Sequence, residues 1–112
     1  MLDTLTISTQ RTTAPRLPGI NFAQLEFGKT FADHMLVVDY HDGQWQEPRI
    51  VPYADMSVSP ANSAIHYGQS IFEGMKAYKN HDGEVALFRP LDNFHRFNAS
   101  ARRMCMPEAL KR

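Results

Sequence analysis

Arg96 is the residue with the clearest chemical potential. It stands in the second turn of a helical pattern that begins at Pro90. A guanidinium placed there can take an anion in a two-pronged fork of N–H donors. A single arginine of this kind is more often a solvated surface charge. Tyr67 and Phe72 flank a turn that precedes an extended stretch. Aromatics at such a corner wall a ligand pocket or fill a core, and the core is the commoner role. Phe27 sits just before Gly28 and Lys29, and it too reads first as core. His34, His41, His66, His81 and His95 fall in no metal-ligand spacing, and neither His-x-x-x-His nor Cys-x-x-Cys occurs. No metal is assigned. Phosphate loops and dinucleotide fingerprints are absent as well. The lysines are Lys29, Lys76, Lys79 and Lys111. None lies in the apolar setting expected of an amine with a lowered pKa.

The elements that must position these groups follow from the patterning. Residues 90–104 form the clearest helix. Pro90 suits its first turn, and Asp92 favours the N-terminal end. Leu91, Phe94, Phe97, Ala101 and Met104 make one apolar stripe at spacings of three and four. Arg102 and Arg103 lie near the C-terminal end, and Pro107 is expected to stop the helix. Ahead of it, residues 75–80 and 84–89 read as two strands around a His81-Asp82-Gly83 turn. Residues 64–72 read as a short helical segment ended by Gly74. An earlier pair, residues 34–40 and 45–51, is joined by His41-Asp42-Gly43-Gln44. Pro48 is expected to put the second of these strands on an edge or to bulge it. The architecture is therefore α+β: an antiparallel sheet of two hairpins, packed on one side by the Phe94/Phe97 face of the C-terminal helix.

Residues 1–18 are rich in Thr and Ser, end in Pro15 and Pro18, and hold no sustained apolar period. They are expected to be a flexible N-terminal arm. Residues 19–112 are expected to be one domain. The 112 residues leave room for no more, and an apolar fraction of 43% is ordinary for a folded core. Twelve basic residues balance twelve acidic ones, so charge points to neither nucleic acid nor an anionic membrane. No apolar run reaches the length of a membrane span. One cysteine, Cys105, permits no internal disulfide and fits a reducing, cytoplasmic setting.

Three stretches together go beyond pattern. They are Phe27-Gly28-Lys29-Thr30-Phe31-Ala32-Asp33-His34-Met35, then His66-Tyr67-Gly68-Gln69-Ser70-Ile71-Phe72-Glu73-Gly74-Met75-Lys76-Ala77, then Leu87-Phe88-Arg89-Pro90 leading to Arg96 and Ser100. In this order they resemble the N-terminal small domain of branched-chain amino-acid aminotransferases, pyridoxal-phosphate enzymes of fold type IV. The resemblance covers residues 19–112. It implies that Arg96 grips the cofactor phosphate. It implies that Phe27, Tyr67 and Phe72 wall the pocket for the branched side chain of Leu, Ile or Val. It implies exchange of an amino group with 2-oxoglutarate and, in the complete enzyme, a homodimer.

The family's Schiff-base lysine lies in a large domain well downstream, so no catalytic residue is expected here. The chain is expected to be a piece of such an enzyme and inactive alone. It finishes with what reads as the opening of another element after Pro107. Two other readings remain. Within the fold, the chain resembles a D-amino-acid transaminase or an aminodeoxychorismate lyase less closely. Outside it, the chain would be a non-catalytic module that binds an anion or a protein partner.

Overall fold

The computed structural model describes residues 6–109. The chain divides after Ser57 into two compact units. The α+β class stands, with small sheets and a C-terminal helix.

In the first unit the central strand is β5 (Arg49–Pro52). β2 (His34–Val37) runs antiparallel to it, with His34 opposite Pro52 and Val37 opposite Arg49. β1 (Ser8–Thr9) runs parallel on its other side. Pro48 therefore does not mark an edge strand. It is buried at the break just before β5, and its carbonyl accepts the Ser8 N–H at 3.2 Å. Proline has no N–H to donate, so the ladder begins one residue later. The hairpin foreseen for residues 34–51 is split accordingly. β3 (Tyr40–His41) and β4 (Gln44–Trp45) pair as a separate ribbon around Asp42 and Gly43. Both turn residues have positive φ, 50° and 78°. That is the requirement of a two-residue turn whose twist matches its strands.

The stretch read as a flexible arm is tied to this sheet from Ser8 onward. Gln10 N–H donates to the Ile50 carbonyl at 2.8 Å, and Thr12 N–H to His34 Nε2 at 3.0 Å. The Arg16 side chain donates to the Ala32 carbonyl at 2.7 Å and lies over the Tyr53 ring, which stacks on Phe31. The Arg16 N–H donates to Asp33 Oδ1 at 2.9 Å and, with the guanidinium, holds that carboxyl below its usual range. The first five residues of the expected arm lie outside the described residues, as do the last three of the element foreseen after Pro107.

The second unit starts with α1 (Ser63–Tyr67). The Asn62 side chain accepts the Ala64 N–H at 2.8 Å and caps it. Gly68 ends it, with φ 62° and its N–H on the Ser63 carbonyl. The left-handed cap is thus Gly68 and not the expected Gly74, because Gly68 already supplies the positive φ that closes a helix. β6 (Ala77–Lys79) and β7 (Val85–Leu87) form the second hairpin, Lys79 opposite Val85. Its strands are exposed at every residue, so no helix face covers them. In place of the single sheet expected from the sequence, the described residues form three small ones.

α2 (Pro90–Arg103) has the foreseen extent. Its end is a paired motif: Cys105 N–H donates to the Arg102 carbonyl and Met106 N–H to the Ala101 carbonyl. Cys105 takes the left-handed conformation, φ 54°, in the place glycine usually fills. The helix has ended before Pro107 is reached. Its buried residues are Asn98 and Ala101, and Asn98 is bonded to Ala109 in the segment after the helix. Leu91 at its start is exposed. The apolar stripe is therefore inward only at its C-terminal half.

Candidate functional site: the Arg96–Glu73 fork

Residues 69–74 run alongside α2 in irregular backbone. Gln69 Nε2 donates to the Met104 carbonyl at 2.8 Å and fixes one end. Asn93 fixes the other, donating to the Gly74 carbonyl at 2.9 Å and to Glu73 Oε1 at 3.0 Å. Asn93 and Arg96 stand three apart on the helix, so they share a face. Arg96 completes the arrangement. Its Nε donates to Glu73 Oε2 at 2.7 Å, and its Nη2 donates to Oε1.

Glu73 is the better buried partner, with 14% of its side chain exposed against 69% for Arg96. It accepts from Arg96, Asn93 and the Gly74 N–H. These donors, Arg96 foremost, bring its carboxyl down to about 2 from 4.5, against the opposing effect of burial. The same pairing raises the Arg96 pKa. The fork is thus fixed in both charge and orientation. Because the folded value lies below the free one, the pair's contribution is complete above pH 4.5 and is lost as pH falls through about 2. Carboxyl-detected NMR is expected to show Glu73 titrating near 2. A midpoint at the ordinary glutamate value would mean that the fork does not persist in solution.

Beside the fork lies an open hollow of about 510 Å³, lined by Ile71, Phe72, Arg96, Ser100 and Arg103 among others. Two of the expected site residues, Arg96 and Phe72, meet here. Phe72 is 91% exposed at this rim. Tyr67 belongs to the same unit, at the end of α1, but does not line the hollow; it is 85% exposed. Phe27 belongs to the first unit. It is fully exposed beside an apolar hollow of about 750 Å³ that also takes in Leu17, Phe22 and Phe31. None of the three aromatics is core. Among the described residues, no group of three or more His, Cys, Asp or Glu is placed to hold a metal ion.

Glu73 and Asn93 were not singled out from the sequence. A signal for Glu73 was present: a lone acid between Ile71-Phe72 and Gly74-Met75. An acid in apolar company needs a cation to remain charged.

No family model matches the chain. Curated relatives do. It is 56% identical over 89 residues to a protein of Staphylococcus aureus named probable branched-chain-amino-acid aminotransferase. That alignment takes in 79% of this chain and 25% of the relative. It is 51% identical over 86 residues to branched-chain-amino-acid transaminase 1 of Bacillus subtilis, covering 76% of this chain and 24% of the relative. With branched-chain-amino-acid aminotransferase 2 of the same organism it shares 47% over 97 residues, 86% of this chain and 27% of the relative. Over those residues the chain is homologous to branched-chain aminotransferases, and it spans about a quarter of their length.

Proposed function

We propose that residues 19–112 are the small domain of a branched-chain-amino-acid aminotransferase. The complete protein moves the amino group of Leu, Ile or Val to 2-oxoglutarate, as a cytoplasmic homodimer with pyridoxal phosphate. What supports this reading is the identity to proteins of that name, together with an arginine whose geometry suits a phosphate. Glu73 takes the Nε edge of Arg96, and Nη1 has no hydrogen-bond partner among the described residues. That free end can donate to phosphate oxygens while Glu73 keeps the plane of the guanidinium fixed.

When bound, the cofactor supplies the electron sink that transamination needs. The chain's own residues bind and orient. Arg96 holds the phosphate end. Phe27, Tyr67 and Phe72 offer apolar faces to the branched side chain, where each methylene recognised is worth about 1–3 kcal/mol. Their exposure fits walls that close only when the rest of the enzyme is in place. The lysine that receives the cofactor is not among these residues, so the chain alone does not transaminate.

The test is a graft. Residues 19–112 replace the matching stretch of the Bacillus subtilis transaminase 1, and amino donors are compared. The hybrid is expected to use Leu, Ile and Val with 2-oxoglutarate. The isolated chain is expected to be inactive and to yield no borohydride-stable adduct on one lysine. A folded hybrid that prefers D-alanine, or an isolated chain that turns over leucine, would overturn the reading.

A further inference from the structure

We propose that Arg103 and Ser100 form a second anion contact in the hollow beside Arg96, and that the ligand they share is a phosphate monoester. The proposal deepens the function argued above and rests on it for the ligand's class, but it stands on separate residues. Arg96, Ser100 and Arg103 line one hollow from one helix, at spacings of four and three. Seven residues of helix separate the two arginines by about 10 Å along the axis. Long side chains can converge on a group between them, and Ser100, between them in sequence, lines the same hollow.

The charges distinguish these arginines from their neighbour. Arg102 is spoken for by Glu108 Oε2 at 2.8 Å. Arg96 is largely neutralised by Glu73. Arg103 has no acidic partner among the described residues, so it carries the uncompensated positive charge of the hollow. A doubly charged phosphate is drawn to that charge and to the free end of Arg96 together. Ile71, Phe72 and Met104 supply the apolar side of the same hollow, suited to the organic part of a monoester.

The experiment is titration of the 112-residue chain with inorganic phosphate, followed by amide and guanidinium NMR shifts. Arg103→Ala is expected to weaken binding about tenfold, the loss of one exposed charge-assisted contact. Arg103→Lys should recover part of it, and Arg102→Ala should change nothing. Circular dichroism checks that each variant folds; Arg103 is exposed and unpaired, so its removal leaves no orphan. If Arg103→Ala binds like the parent while Arg96→Ala is weakened, this inference fails and the Arg96 reading survives. If Arg103→Ala is weakened while Arg96→Ala is not, the second contact stands and the role given to Arg96 falls. A parent chain with no measurable phosphate binding would overturn the proposal.

Discussion

Arg96→Ala is expected to lower phosphate affinity about a hundredfold or more and, in the same protein, to release Glu73 from its depressed pKa. The first effect follows from losing two charge-assisted hydrogen bonds, each worth about 1.5–3 kcal/mol, where 1.4 kcal/mol is tenfold. The second follows from the order of causes at Glu73, in which the Arg96 hydrogen bonds come first and burial opposes them. With Arg96 gone, Asn93 and the Gly74 N–H remain, and the carboxyl should rise from about 2 toward 4.5. Arg96→Lys separates charge from geometry. Lysine keeps the positive charge and loses the planar fork, so Glu73 should stay below its free value while phosphate binding falls. Calorimetry with inorganic phosphate reads the first effect, and a carboxyl titration reads the second. If Arg96→Ala leaves Glu73 near 2, the carboxylate is held by its other donors, and Glu73 does not orient the arginine.

This coupling explains why the site was only half legible in the sequence. Arg96 could be found because its place in a helix follows from local rules: Pro90 at the start, Asp92 in the first turn, an apolar stripe at helical spacing. Its partner could not. Glu73 lies 23 residues away in irregular backbone, and no period links the two. The turns were legible for the same reason as the helix. Asp42-Gly43 demands a positive φ whatever surrounds it, and it has one. The local hairpin pairing of β6 with β7 was legible too, whereas the long-range partnership of β1 with β5 was missed. Nothing in Ser8 or Thr9 announces that they pair with β5, since two polar residues bury no face. The helix ends where expected, but its stop was assigned to Pro107 because a cysteine, and not a glycine, takes the left-handed place that closes it. Phe27, Tyr67 and Phe72 read as core by type and lie exposed, in a chain that spans about a quarter of the length of its curated relatives.

Asn98→Ala is the second change with a large expected effect, and it acts on the support beneath the site. Asn98 is 4% exposed and is the buried polar residue of α2. Its Nδ2 donates to the Ala109 carbonyl at 3.2 Å, and its Oδ1 accepts the Ala109 N–H at 2.8 Å. One side chain thus satisfies both backbone groups of a residue that belongs to no helix or strand. Alanine would leave both unpaired beside Ala101, which is wholly buried. Each unsatisfied group costs about 1–3 kcal/mol, unless the segment pulls away to find water. Release of that segment is the cheaper outcome. It would loosen the Met104 carbonyl from Gln69, the bond that fixes one end of residues 69–74. The expected result is a midpoint lowered by about 4–8 °C for each kcal/mol lost, with faster exchange at the Ala109 amide. Asn98→Asp discriminates between the two bonds. It keeps the acceptor for the Ala109 N–H and sets a charge against the Ala109 carbonyl, so it should destabilise while that amide stays protected. If Asn98→Ala leaves both the midpoint and the exchange unchanged, residues 104–109 are held by other contacts, Arg102 with Glu108 first among them. The Gln69–Met104 bond would then hold its end of residues 69–74 without help from Asn98.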